Sequence, residues 1–237
     1  MGAGKKSGKK YKEALKKVEK GKIYSVEEGI RLVLESAPAK FDEAVDVAVA
    51  LGVDARQSDQ QVRGAMSLPH GLGRKVRVLV FAKGEQEEEA KKAGADFIGA
   101  EDMVEKIKSG WLDFDRVIAT PDMMPTLAKV AKILGPKGLM PSPKSGTVTA
   151  KVSSVVQAEK KGRASFRVDK NSIIHTSIGR KSMGLDKLKQ NYMALAGELI
   201  KSKPSGSKGV YLKKISISST MGPGVELNPA QTQNEAL

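Results

Sequence analysis

Along this chain the spacing of apolar side chains switches between a helical period and a period of two, and the switches mark the elements. Residues 11–19 have helical spacing. Ser25 with Glu28 three places on has capping-box spacing ahead of Ile30, Leu32, Val33 and Leu34, which predicts a second helix to about Ser36. Pro38 stops it. From Phe41 the period drops to two: Phe41, Val45, Val47, Val49, Leu51 and Val53 face one way and Asp42, Ala44, Asp46, Ala48 and Ala50 the other, as in a half-buried strand. Residues 61–68 read as another strand closed by Pro69, and residues 70–73 as a flexible connection.

The pattern then changes character. Residues 76–82 are a short apolar run, 85–93 helical, 96–98 extended, 101–108 helical, 116–119 extended and 123–134 helical. Strands alternating with helices imply crossover units, so this stretch predicts a small doubly wound α/β domain with a parallel sheet covered on both faces. After a loop rich in Gly and Pro, residues 151–161 predict a helix, and two-residue alternation returns at 164–168 and 173–178. A last helix sets Leu185, Leu188, Tyr192, Leu195 and Leu199 on one stripe, which is read as core packing. Residues 211–218 predict a strand, Thr220-Met221-Gly222-Pro223-Gly224 a turn, and the residues from Ala230 onward a frayed end.

Charge separates the ends from the middle. The formal net charge is +14, and residues 1–22 supply half of it through nine lysines against Glu13 and Glu19. Residues 159–237 carry fourteen basic and six acidic side chains, whereas the stretch between is close to balanced. Such a field attracts polyanions, and the shared excess suggests a common task for the two ends with an inserted domain between them. No apolar run approaches the roughly 18 residues of a membrane span, so nucleic acid is the expected partner and a membrane is not.

Candidate chemistry is sparse. The chain has no cysteine, which removes disulfides, thiolate catalysis and cysteine-bound metal, and its two histidines, His70 and His175, read as structural or hydrogen-bonding. No metal, cofactor or catalytic residue is expected. The α/β stretch invites a nucleotide-binding enzyme as the rival reading, but no phosphate loop follows its first strand. Four glutamates open the next helix at Glu85, Glu87, Glu88 and Glu89, where they suit the helix dipole and repel phosphate. The acidic pairs Asp42/Glu43 and Asp113/Asp115 read as solvated faces. What remains is a composite of Lys40, Phe41, the hydroxyls of Ser216, Ser218, Ser219 and Thr220, and the turn at 220–224. It offers donors, a flat ring and exposed backbone, the mix that recognition of folded RNA calls for.

Four segments give this reading a family. Val62-Arg63-Gly64-Ala65-Met66-Ser67-Leu68-Pro69-His70-Gly71, GPKGLMP at 135–141, NSIIHTSIG at 171–179 and SSTMGPG at 218–224 together resemble the universal large-subunit ribosomal protein family numbered one, of bacterial type, from about residue 11 to residue 227. The resemblance implies a discontinuous two-domain protein, α/β and α+β. Residues 1–70 and 159–237 would form an α+β RNA-binding domain, and residues 71–158 an inserted Rossmann-like α/β domain. It also implies a non-enzymatic protein of the cytoplasmic ribosome, monomeric when free. Its partners would be the large-subunit rRNA stalk helices, the exit-site tRNA that it helps to release, and the leader of its own operon mRNA, which it represses. Carried over residue by residue, the RNA surface comprises Lys40, Phe41, Thr220, Met221 and Gly222, with Ser218 and His175 beside them, and Lys137 and Lys144 are candidates on the tRNA side. Ala44 departs from the hydroxyl that many relatives carry there, and Met183-Gly184 from a commoner aromatic.

Overall fold

A computed structural model describes residues 8–19, 21–207 and 209–235; the side chains of Ser58 and Lys144 also lie outside the description. In chain order the elements are α1 (Lys9–Lys16), β1 (Ile23–Tyr24), α2 (Val26–Ser36), β2 (Ala44–Leu51), β3 (Arg63–Ser67), β4 (Val78–Phe81), α3 (Glu85–Lys92) and β5 (Phe97–Gly99). There follow α4 (Glu101–Lys108), β6 (Arg116–Ala119), α5 (Met124–Ala128), α6 (Ala131–Leu134) and α7 (Val152–Lys160). The chain closes with β7 (Arg163–Arg167), β8 (Ile173–Arg180), α8 (Gly184–Lys201), β9 (Leu212–Ser219), β10 (Val225–Leu227) and α9 (Pro229–Glu235). They fall into two compact units, one of residues 1–73 with 164–237 and one of residues 74–163. The seam expected at 158/159 falls inside α7, which stays whole within the second unit because its Val152 and Val156 are part of that unit's core.

The first unit is a five-stranded sheet in the order β1-β10-β9-β2-β8, in which β1 and β10 run parallel and the other neighbours antiparallel. The alternation read in β2 is real: Val45, Val47, Val49 and Leu51 are buried and join Ile215 and Ile217 of β9 in a core with Ile30 and Val33 of α2 and Leu188, Tyr192, Leu195 and Leu199 of α8. Each such side chain contributes roughly 1.5–3 kcal/mol when taken out of water. Ser25 caps α2 as its spacing predicts, accepting from Glu28 N–H, and Gly29 lets α2 lie against β10, where a Cβ would collide with Leu227. A separate two-stranded sheet joins β3 to β7.

The second unit is a parallel sheet in the order β5-β4-β6. One face packs on α4, α5 and α6 through Leu79, Phe81, Val117 and Ala119, the other on α3 and α7 through Val78, Val80 and Ile118, so the expected two-sided covering is present. The helix expected over 123–134 is instead broken, because Val130 leaves helical geometry at φ −115° and turns fully into the core between α5 and α6. The Asp113/Asp115 pair also departs from a merely solvated face. Asp115 Oδ2 accepts from the backbone N–H and Nε of Arg77 at 3.0 and 3.3 Å, and Asp113 pairs with the same guanidinium. Burial pushes the Asp115 carboxyl up, but these contacts more than offset it and leave it below the usual range.

The C-terminus also corrects the expectation of fraying. α9 docks on the sheet unit through Thr232, which is fully buried and shares a 2.9 Å hydrogen bond with Tyr192 Oη. Burial pushes that phenol up to about 12. A second buried polar residue, Asn191, sits on the packed face of α8. Its Nδ2 donates to Gly71 O at 2.9 Å and Ile178 O at 2.8 Å, and its Oδ1 accepts from His70 N–H at 3.0 Å. Ile178 is available because β8 slips by one residue against β2 between Val45 and Asp46, a bulge that leaves its carbonyl off the ladder. Asn191→Ala removes three bonds at once and leaves buried backbone groups unpaired, so it should destabilise the fold by about 1–3 kcal/mol or more. Urea unfolding is the check, with a lower midpoint at an unchanged slope as the expected result.

Candidate nucleic-acid interface

One face of the five-stranded sheet carries the helices; the residues at the alternate positions of β2 and its neighbours line an open surface. Asp46 pairs with Ser177 of β8 and Ser218 of β9, and Ala48 with His175 and Ser216. Small side chains at these positions follow from the strand registers and leave a shallow, open groove of about 380 Å³ lined by Asp46, Val47, Ala48, His175, Thr176, Ser177 and Ser218. His175 and Ser218, 43 positions apart in sequence, therefore flank the same strand. His175 is exposed, with Nε2 3.9 Å from Asp169 Oδ2. Asp46 remains open to solvent on one side, yet the surrounding sheet removes enough water to push its carboxyl up, against the opposing influence of the Ser177 hydroxyl.

The end of this surface is built around Glu43. Its side chain is fully buried, accepting from Ala39 N–H at 2.6 Å through Oε1 and from Met221 N–H at 2.9 Å through Oε2. One carboxylate thus ties the segment that carries Lys40 and Phe41 to the turn that follows β9. Burial pushes the Glu43 carboxyl up, but the two N–H donors and the nearby charge of Lys181 outweigh it, and the net shift is downward. Thr220 makes the second tie: its N–H donates to Ala44 O at 3.1 Å and its Oγ1 accepts from Ala44 N–H at 3.1 Å. Gly222 N–H donates to Ser219 O at 3.2 Å, and a Cβ on Gly222 would meet Ser219 Oγ, so a larger residue there would have to displace that hydroxyl. Asp42 extends the framework, accepting from Ser182 N–H at 2.9 Å and Ser182 Oγ at 2.8 Å.

With its backbone fixed in this way, the turn holds Met221 out in solvent at 56% exposure, and Phe41 is equally open. Lys40 is exposed as well, as are Lys9, Lys10, Lys12, Lys16 and Lys17 of α1 and the residue that follows it. Lys137 is exposed on the loop after α6 in the second unit, and the side chain of Lys144 lies outside the described residues. Among the described residues no group of His, Asp and Glu could hold a metal ion, and no helix is long and apolar enough to cross a membrane. Reading Asp42 and Glu43 as a solvated pair missed the residue that organises the site. The signal was parity: Glu43 shares the inward side of the strand with Val45, Val47 and Val49, where a carboxylate needs donors.

Because Glu43 has a lower pKa folded than unfolded, its contribution is fully present above its ordinary value of 4.5 and is lost as pH falls through the folded value. Glu43→Gln should destabilise the chain at neutral pH by about 1–3 kcal/mol, since an amide cannot accept from both N–H groups. Acid titration of unfolding should show a shallower loss below about pH 5 in Glu43→Gln than in the parent. Parallel curves would mean that Glu43 is not the group responsible.

Comparison with known proteins agrees with the fold and with the motifs. Residues 33–223 match the ribosomal protein L1p/L10e family, a span that contains Lys40, Phe41, Glu43, His175, Ser218, Thr220, Met221 and Gly222. The large ribosomal subunit protein uL1 of Bdellovibrio bacteriovorus is 63% identical over 223 residues, which cover 94% of this chain and 95% of that protein. The chain belongs to the ribosomal protein L1p/L10e family.

Proposed function

We propose that this chain is a constituent of the large subunit of the cytoplasmic ribosome and grips a helix of large-subunit rRNA at the base of the mobile stalk. The observation that carries the reading is the turn at 220–222, pinned by Glu43 and Thr220 beside Lys40 and Phe41, which presents an open thioether, an open ring and a rigid backbone at the end of a flat, hydroxyl-lined sheet. Folded RNA is recognised by stacking, by phosphate contacts and by hydrogen bonds to ribose hydroxyls, and this set supplies each. On this reading the first unit is the RNA-binding domain and the second a Rossmann-like insertion. The free protein is a monomer.

Two further roles belong to the same proposal. The second unit faces the exit-site tRNA and assists its departure, with Lys137 and Lys144 as the contacts, and the RNA-gripping surface also takes the leader of the operon messenger and represses its translation. Catalysis on a nucleotide is disfavoured by charge. At the N-terminus of α3, where a parallel α/β unit would cradle phosphate, the first turn carries Glu85, Glu87 and Glu88.

Affinity on this account has two separable parts. Exposed lysines supply a long-range, salt-dependent attraction, whereas the pinned turn supplies a short-range fit whose backbone is already ordered before binding. Lys40→Ala should lower the slope of log affinity against log salt for a stalk-helix fragment by about 0.7–0.9. Thr220→Ala, which removes the hydroxyl that accepts from Ala44 N–H and leaves only the backbone bond to Ala44 O, takes away no charge and should weaken binding by about 1–3 kcal/mol at an unchanged slope. A Thr220→Ala chain of normal affinity and reduced slope would contradict this division, and a parent chain that does not bind the fragment specifically would overturn the function itself.

A further inference from the structure

Nine methionines stand in this sequence and no cysteine, so thioethers are its only sulfur chemistry. Among the described residues seven of them are buried or partly buried: Met66, Met103, Met123, Met124, Met140, Met183 and Met193. Among the described methionines Met221 alone is exposed, at 56%. The arrangement around it keeps it so. Its N–H is held by the buried Glu43 carboxylate, Thr220 before it is fastened to Ala44 on both backbone atoms, and Gly222 after it is closed against Ser219. These bonds fix the backbone on which the Met221 side chain stands exposed. An apolar group fixed in water at the head of a binding surface is at the mercy of any oxidant that reaches the free protein.

We infer that Met221 is an oxidative modification site that switches RNA binding off. This rests on the reading of the 220–222 turn as RNA-gripping. The oxidant is a peroxide. The thioether sulfur attacks one peroxide oxygen, an S–O bond forms as the O–O bond breaks, sulfur is oxidised by two electrons to the sulfoxide, and the peroxide is reduced to water. The product replaces an apolar, compliant group by a polar, chiral one whose oxygen accepts hydrogen bonds but donates none. Where the thioether packs as an apolar group against RNA, the hydrated S–O dipole must first be stripped of water, so the close contact is lost. The other described methionines, sheltered in the two units, react later. Bound RNA covers Met221, so the assembled protein is protected and the unassembled pool is the target. Reduction by a methionine sulfoxide reductase returns the thioether and restores binding.

The test uses the full chain and hydrogen peroxide as the probe, with peptide mapping by mass spectrometry and binding to a stalk-helix RNA fragment measured on the same samples at fixed salt. Met221 should gain one oxygen at the lowest doses, affinity should fall about tenfold in step with that gain, reductase should reverse both, and RNA added first should prevent both. Met221→Leu, whatever its own affinity, should show no further loss at those doses. Oxidation of another methionine first, full conversion of Met221 with unchanged affinity, or an equal loss in Met221→Leu would each overturn the inference. An untreated chain that fails to bind the fragment would instead overturn the RNA-binding reading before peroxide enters, and this inference with it.

Discussion

A carboxylate shut away from water is stable only if donors replace its hydration, and at Glu43 the donors are two backbone N–H groups from parts of the chain 182 residues apart, Ala39 and Met221. That requirement organises one end of the sheet unit. To reach both donors, the segment leading into β2 and the turn leaving β9 must lie side by side, which the pairing of Val45 with Ser219 provides. The strand pairing sets the register, and the carboxylate converts the register into a fixed turn.

The same logic of buried polar anchors recurs at the other joints of that unit. Asn191 uses its whole amide to hold residues 70 and 71 and the bulged carbonyl of β8, and Thr232 fastens the last helix to Tyr192. In each case an apolar core supplies most of the free energy and a satisfied polar group selects one arrangement, because the alternatives would leave a donor or acceptor unpaired in a low-dielectric interior. Function gains from this division. The surface strands can carry small, weakly packing residues such as Ala48, Ser216 and Ser218, since stability comes from the opposite face and from the anchors.

Electrostatics divides in a comparable way. Exposed lysines along α1 act through space on a polyanion, while the acidic side chains at the site face inward or bind backbone: Glu43 and Asp42 are both held below the usual carboxylate range after their donors offset burial. The charge of Glu43 is thereby held inside the protein, and that of Asp42, itself exposed, is engaged by Ser182. Asp46 is the exception, a carboxyl raised by burial on the floor of the groove.

The sequence by itself determined the elements and the family. Period-two spacing in β2, the Ser25 cap of α2, the alternation of strands and helices across 76–119 and the four motifs were all legible because each is a local pattern, and local patterns follow from backbone geometry and side-chain chemistry within a few residues. The helix of 123–134 was over-read because the inward turn of Val130 answers to the core around it, and the last helix was missed because its anchor, Tyr192, lies 40 residues away. Only the tertiary structure decided that Glu43 is buried, that Thr220 spends its hydroxyl on Ala44, and that Met221 is left in solvent. Burial and hydrogen-bond partnership depend on which distant strands become neighbours, and strand pairing is a long-range outcome that no window along the chain contains.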